Sequence, residues 1–199
     1  MRQRIKELGG SWWAMSTKQQ EIFQTSFAVP DKVKVSLNKS MLYVEGPLGK
    51  TYKNFKKIPV DLEVKDNKIS IKAVNKRKKY FAIANTAFSI IRTLCEGVVV
   101  GYTIKMKIVY AHFPITVKTK DNLVLIENFQ GERAPRVAKI HGLTKVTSKG
   151  DDVIVTGPVL TDVTQTAAEI QAKTHVRGKD HRVFLDGIYQ FSKEKGITK

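Results

Sequence analysis

The segment Met41-Leu42-Tyr43-Val44-Glu45 returns 82 positions later, from 41 to 123, as Leu123-Val124-Leu125-Ile126-Glu127. Other short matches follow in the same order along the chain, at shifts of 80 to 84 positions. They pair Val35 with Val117, Gly49 with Gly131, Ile69-Ser70-Ile71 with Val153-Ile154-Val155, and Asn85-Thr86-Ala87 with Gln165-Thr166-Ala167. Small changes in the shift are what loop insertions produce, so the sequence predicts two tandem copies of one folding unit.

Apolar and polar residues alternate along several short segments of the first copy, which predicts strands with one buried face. A turn at Gly46-Pro47-Leu48-Gly49 separates an outgoing strand from a return strand, and a second turn is predicted at Asp66-Asn67. The predicted strands are Val33 to Leu37, Leu42 to Val44, Tyr52 to Phe55, Val60 to Val64 and Ile69 to Ala73. After the first helix, a long strand is predicted with Ile104, Met106, Ile108 and Tyr110 on one face.

Each copy also contains one stretch with the helical spacing of apolar residues. The first runs from about Tyr80 to Glu96, and Gly97 is its predicted end. The second begins at Thr161 or Asp162 as the N-cap. Its predicted inner face carries Val163, Ala167, Ile170 and Thr174.

Together these patterns predict an α+β fold made of two tandem copies of a small, mostly antiparallel sheet with one packed helix. The predicted ranges are an N-terminal extension over 1–28, a first repeat unit over 29–109 and a second repeat unit over 110–199. Met15 is an alternative translation start to Met1, so the role of the extension stays open.

The composition narrows the function classes. The 199 residues include 35 Lys and Arg against 18 Asp and Glu, a formal net charge of +17, while 42% of the residues are hydrophobic. A foldable chain with this excess of positive charge most often binds a polyanion. We find no run of about 18 apolar residues that would indicate a membrane span. The single cysteine, Cys95, excludes an internal disulfide and fits a reducing cytosol.

The positive charge is spread over many loops, which suits a folded RNA contacted on several sides better than a membrane surface. Clusters lie at Lys50–Lys57, Lys76–Lys79, Arg133–Lys139 and Lys173–Arg182. The candidate RNA-binding residues are Lys50, Arg133, Arg136, Lys139, Lys173, His175, Arg177, Lys179, Arg182 and Tyr189.

Catalytic, nucleotide-binding and metal-binding motifs are not supported. Gly46-Pro47-Leu48-Gly49-Lys50-Thr51 ends like a phosphate-binding loop, but Val44 stands where that motif needs glycine, so a hairpin turn is predicted. The four histidines and Cys95 lack metal-ligand spacing, and Cys95 lies on the apolar stripe of the first helix. The sequence therefore predicts neither an enzyme nor a cofactor or metal.

Two stretches carry the most specific signals. Tyr110-Ala111-His112-Phe113-Pro114 is predicted to be a packing hinge between the two units, with Pro114 fixing the backbone. The other runs from Lys179 through Arg182, Phe184 and Asp186-Gly187-Ile188-Tyr189. With Val44-Glu45-Gly46-Pro47 and Ile126-Glu127-Asn128-Phe129, these stretches resemble the universal large-subunit ribosomal protein six family, in its archaeal or eukaryotic form. The resemblance covers about 30–189.

This resemblance implies a structural, ribosome-bound cytoplasmic protein that binds large-subunit rRNA near the sarcin–ricin loop and the stalk base. It would support the region where translation factors dock, with neighbouring large-subunit proteins as further partners. The second unit, which holds the more specific motifs, is predicted to be the main rRNA-binding unit. Two alternatives are a basic protein of RNA processing or chromatin and, less favoured, an enzyme that acts on RNA.

Overall fold

The computed structural model describes residues 24–65, 68–180 and 182–197. The predicted turn at 66–67 and residues 1–23 of the predicted extension lie outside the described residues. In the first unit, strands pair antiparallel in two three-stranded sheets with the orders β1-β6-β5 and β2-β3-β4, and a helix packs on them. Its elements are β1 (Gln24–Ala28), β2 (Lys34–Asn38), β3 (Met41–Gly46), β4 (Gly49–Asn54), β5 (Val60–Lys65), β6 (Lys68–Ala73) and α1 (Lys78–Val100).

The second unit repeats this order and adds a final strand. Its sheets have the orders β10-β9-β8 and β11-β12-β7-β13, again with antiparallel pairing. The elements are β7 (Tyr102–Val109), β8 (Thr116–Lys120), β9 (Leu123–Glu127), β10 (Arg136–Lys139), β11 (Lys145–Lys149), β12 (Asp152–Gly157), α2 (Leu160–Lys173) and β13 (Gly187–Lys195). The predicted α+β fold of two sheet-and-helix repeats is confirmed, although each unit divides its strands between two sheets.

Strand pairing groups two segments differently from the predicted ranges. β7 lies between β12 and β13 in one sheet, so Tyr102–Val109 belongs by hydrogen bonding to the second unit, ahead of the predicted boundary at 110. β1 pairs with β6 and places Gln24–Ala28 in the first unit, inside the predicted extension. Whether each unit folds alone stays a prediction.

Both helices differ from their predicted ends. α1 continues through Gly97 to Val100, and Gly101 caps it at a φ of 78°, with its N–H bonded to the Gly97 carbonyl. The left-handed backbone that favours glycine is therefore required at Gly101. α2 begins at Leu160 with Val159 as its N-cap, so Asp162 lies in the first helical turn, where its charge suits the helix dipole.

α1 has the length and composition of a membrane span. Its buried stripe of Ala84, Ala87, Ile91, Leu94 and Val98 packs within the hydrophobic core of the first unit. A helix that packs in a protein core can have the same length and composition as a membrane span, and this buried stripe shows that α1 packs in a core. Cys95 shares this stripe, and burial raises the pKa of its thiol to about 11, which keeps it protonated at neutral pH.

The end of α1 is the seam between the two units. The Gly196 N–H of the second unit donates to the Gly101 carbonyl at 2.9 Å, and within the first unit the Leu48 N–H donates to the Val98 carbonyl at 3.0 Å. Lys195 forms an ion pair of 2.9 Å with Glu96. Gly97 faces the Pro158 carbonyl of the second unit, and a Cβ there would collide with that oxygen. The seam therefore requires glycine at a position that sequence reasoning reads as a helix stop.

We expect Gly97→Ala to lower the free energy of unfolding by about 1–3 kcal/mol through overpacking, despite the better helix propensity of alanine. Urea denaturation followed by circular dichroism measures this. Asn85→Ala, at an exposed position of the same helix, is the control and should be neutral or slightly stabilising. A Gly97→Ala protein as stable as the control would contradict close packing at the seam.

Candidate nucleic-acid interface

The buried carboxylate of Asp186 joins the two most specific stretches of the sequence. Its side chain is 2% exposed. Oδ1 accepts the Ala111 N–H at 2.5 Å, and Oδ2 lies 3.2 Å from His112 Nδ1. A buried carboxylate requires such partners, because an uncompensated charge is costly in a protein interior. The segment from Tyr110 to Pro114 thus connects β7 with β8 inside the second unit, and its prediction as a hinge between units is wrong.

An aromatic stack lies next to this carboxylate. The His112 and Phe184 rings stack with centroids 4.7 Å apart and an interplanar angle of 25°. The Lys179 Nζ lies 4.6 Å from the centroid of the same Phe184 ring, within cation–π range. Phe184 also packs against the core of the second unit. Asp186 therefore orients the His112 ring, which stacks on Phe184. The Phe184 ring in turn positions the exposed Lys179.

Arg136 is held by protein groups on several sides. Its guanidinium forks onto Glu132, with Nε–Oε2 and Nη2–Oε1 distances of 2.8 and 2.6 Å. Nη1 donates to the Lys173 carbonyl at 2.6 Å, and the group lies 4.2 Å from the centroid of the Phe129 ring. Arg136 thereby connects β10 to the end of α2. Its hydrogen bond lowers the pKa of the Glu132 carboxyl, and the charge of Lys179 contributes further.

Arg182 is the most solvent-exposed of the candidate arginines that form ion pairs. Its guanidinium forks onto Asp180 with distances of 3.2 and 2.9 Å, and its side chain is 90% exposed. The Asp180 hydrogen bond raises the pKa of Arg182. Solvent screens an ion pair this exposed, so a phosphate can replace Asp180 at little cost.

These contacts bring most of the candidates together on one surface of the second unit. Tyr189 borders it, because its ring covers Gly187 and its hydroxyl donates to the Leu185 carbonyl at 3.4 Å. Lys139 lies next to it, since its backbone N–H donates to Glu169, whose pKa is lowered chiefly by His141 and also by nearby Lys173. We call these candidates the basic surface and include Arg133 and Arg177 as chain neighbours of Glu132 and Val176: Arg133, Arg136, Lys139, Lys173, His175, Arg177, Lys179, Arg182 and Tyr189.

Lys50 is the candidate that lies apart. It stands on β4 in the first unit and forms a 2.8 Å ion pair with Glu45 across the β3–β4 ladder. The hairpin predicted for its glycine-rich turn is confirmed, because β3 and β4 pair on either side of it. Phosphate contact by any of the ten candidates stays a prediction at this point.

Sequence reasoning does not predict the contact between His112 and Asp186, beside which Phe184 and Lys179 lie. It assigns His112 to a hinge between the units. The signal in the sequence is that Asp186 stands among apolar residues. If such an aspartate is buried, it requires hydrogen-bond donors from elsewhere in the chain.

Comparison with known proteins supplies the family. The sequence profile of the family described as "Ribosomal protein L6" matches residues 113–187. The large ribosomal subunit protein uL6 of Methanobrevibacter smithii is 42% identical over 166 residues, which cover 83% of this chain and 93% of that protein. The uL6 proteins of Thermoplasma volcanium and Saccharolobus solfataricus are 43% and 39% identical, covering 83% and 87% of this chain and 93% and 96% of their own.

The chain belongs to the ribosomal protein L6 family. Members of this family are structural proteins and not enzymes, which confirms the non-catalytic prediction. The profile match includes Asp186, whereas Ala111 and His112, which face its carboxylate, lie just before the first matched residue.

In this L6-family protein we expect Asp186→Ala to lower the free energy of unfolding by about 1–3 kcal/mol, because the Ala111 N–H loses its acceptor. Phe184→Ala should cost a few kcal/mol through the lost ring packing. Urea denaturation measures both. Leu185→Ala, at a 58% exposed position between them, is the matched control and should be neutral. Equal stability of all three variants would contradict the anchoring role.

The Glu132–Arg136 pair predicts a pH dependence of stability. The folded pKa of Glu132 is lowered, so the pair stabilises the fold above the unfolded pKa and loses this contribution as the pH falls through the folded value. Both side chains are partly exposed, so Glu132→Gln should lower the free energy of unfolding by about 0.3–1 kcal/mol at pH 7. The difference should disappear at a pH low enough to protonate Glu132 in the folded and the unfolded state. In an Arg136→Gln background the effect should vanish at all pH values. Thermal unfolding between pH 3 and 7, on both sides of the ordinary Glu pKa of about 4.3, measures this difference in stability. A stability difference that grows as the pH falls would contradict the assignment.

Proposed function

We propose that this protein is a structural, non-catalytic component of the large ribosomal subunit that binds large-subunit rRNA through the basic surface of its second unit. The observation that carries the proposal is the convergence of both specific stretches on the Asp186 carboxylate, with exposed cations arranged around it. The relatives are named as large-subunit proteins, which supports ribosome association in the cytoplasm.

The chemistry of the basic surface suits folded RNA. Phosphate oxygens accept hydrogen bonds from guanidinium and ammonium groups, and these contacts fix position without performing a reaction. Arg182 offers a fork whose present partner is exposed, and Lys179 is oriented by the Phe184 ring. Arg136, whose donors are largely occupied by Glu132 and Lys173, acts mainly to position the surrounding loops.

The proposal extends to a location. We propose that the binding site lies near the sarcin–ricin loop and the stalk base, with neighbouring large-subunit proteins in contact and translation factors docking nearby. Membership of the L6 family supports this finer assignment. A density map of the intact large subunit tests it, and density for the chain elsewhere on the subunit would overturn it.

We expect Lys179→Ala and Arg182→Ala each to weaken rRNA binding about 10- to 100-fold, because each removes a charge-assisted hydrogen bond. Each should also reduce the salt dependence of log affinity by about 0.7–0.9 per log unit of salt. Filter binding across a salt series measures both quantities. Lys149→Ala, at another exposed lysine, is the control. Thermal stability should change little, and a salt slope unchanged in every variant would contradict phosphate contact.

Co-sedimentation separates the ribosomal function from the alternative of a basic protein in RNA processing or chromatin. The ribosomal function requires stoichiometric migration of the protein with large subunits after a moderate salt wash. Recovery at the top of the gradient, or with DNA, would favour the alternative.

The two units should differ in RNA affinity. A fragment that begins at 110 would lack β7, which lies between β12 and β13, so the division belongs between Gly101 and Tyr102. We expect the fragment 102–197 to bind rRNA in the absence of the first unit. The fragment 24–101 should bind rRNA more weakly. Circular dichroism must first show that each fragment is folded. Equal affinities would contradict the assignment of the second unit as the main binding unit.

A further inference from the structure

A pair of tyrosines lies on the outer face of the sheet β2-β3-β4. Tyr43 on β3 and Tyr52 on β4 stand opposite each other in the strand register, with ring centroids 6.1 Å apart at an interplanar angle of 39°. Tyr52 is 64% exposed. The opposite face of the same strands supplies the core through Leu42 and Val44, which are fully buried. The two rings therefore lie outside the core.

The repeat provides an internal comparison for these positions. The shift of 82 that relates the two copies places Tyr43 on Leu125 of β9 (43 to 125), and the β10 residue opposite Leu125 is Val137. The same face of the same fold thus carries aliphatic residues in the second unit. The sheet does not require aromatic rings at this point, so a structural role alone does not account for the tyrosine pair.

Exposed lysines flank the tyrosines at both ends of the face. At one end, Lys34 and Lys50 stand on either side of Glu45 in the strand register. At the other end, the Phe55 N–H donates to the Ser40 carbonyl at 2.8 Å. That bond draws together the β2–β3 turn and the loop after β4, which carry Lys39, Lys56 and Lys57.

We propose that this tyrosine face is a second RNA contact, on which unpaired bases stack while the flanking lysines hold the phosphates. Aromatic side chains on a sheet accept bases of any sequence, because every base has a π-face, and cations beside them neutralise the backbone. The five lysines outnumber Glu45 and Asp162, which lines a cleft with Lys50 and Tyr52, so the charge favours a polyanion over a neutral peptide. Lys50, the candidate that lies apart from the basic surface, belongs to this face.

This inference rests on the proposed function in taking RNA as the partner, and it adds the class of RNA: a single-stranded segment. The basic surface would hold folded rRNA, and the tyrosine face would bind a neighbouring unpaired stretch more weakly. The two proposals fail separately, because Lys179 and Arg182 belong to one surface and Tyr52 to the other.

The test measures binding of the full chain to a fluorescein-labelled oligouridylate of about 10 nucleotides, within the site size of one binding module. We expect Tyr52→Ala to weaken binding about 5- to 100-fold at constant salt. Tyr52→Phe, which keeps the ring, should stay within about twofold of the unchanged protein. Tyr52→Leu keeps apolar area without a ring, as the second unit does, and should behave like Tyr52→Ala.

Two further measurements complete the test. Val137→Ala, at the equivalent position of the second unit, is the matched control and should not alter binding. Ultraviolet crosslinking followed by mass spectrometry should place uridine on the peptide that contains Tyr43 and Tyr52. Lys50→Ala should lower the salt slope by about 0.7 per log unit of salt, whereas Tyr52→Ala should leave the slope unchanged.

Unaltered binding by Tyr52→Ala would overturn the inference, and so would a Tyr52→Leu protein that binds like the unchanged one. The second outcome would show that apolar area matters and not stacking, as for a protein partner. If the Tyr52 variants respond but the protein does not migrate with large subunits, the proposed function fails and the tyrosine face stands. If Lys179 and Arg182 matter and Tyr52 does not, the reverse holds.

Discussion

The second unit is organised around a carboxylate that is almost completely buried. Burying Asp186 is tolerable only while the Ala111 N–H and the His112 ring face it, because an uncompensated charge in the interior costs several kcal/mol. This requirement holds the segment after β7 against the turn before β13. The His112–Phe184 stack and the position of Lys179 follow from it. The position of an exposed cation thus depends on one buried carboxylate.

The duplication was accessible from sequence because its evidence is local. Alternating residues and short matches at nearly constant shifts identify the strands, and the same strand orders appear in both units. The place of β7 was not accessible, since an apolar alternation says nothing about which strands will pair. The end of α1 was misplaced for a related reason. A glycine such as Gly97 ends many helices, and only the packed Pro158 carbonyl shows why this one lies inside a helix.

The candidate site shows the same division between composition and contact. The cations themselves are visible in the sequence, but their ion pairs are not. The sequence does not distinguish Arg136 from Arg182. In the structure, Glu132 and the Lys173 carbonyl occupy the donors of Arg136. Arg182 extends into solvent, with Asp180 alone as its described ion-pair partner. Asp186 lies 75 residues from the N–H that satisfies it, a distance over which no periodic pattern carries information.

The order of synthesis determines when the contacts at the end of α1 can form. A chain is made from its N-terminus, so β7 leaves the exit tunnel before either β12 or β13 exists to pair with it. Lys195 and Gly196, at the end of β13, then bond to Glu96 and Gly101. The first unit can assemble while translation continues, but these bonds to the end of α1 form only after β13 has been made. A nascent chain that stops before β13 lacks the bonds of Lys195 and Gly196 to the end of α1, and only the second-unit contacts made earlier, such as Pro158 against Gly97, can hold it.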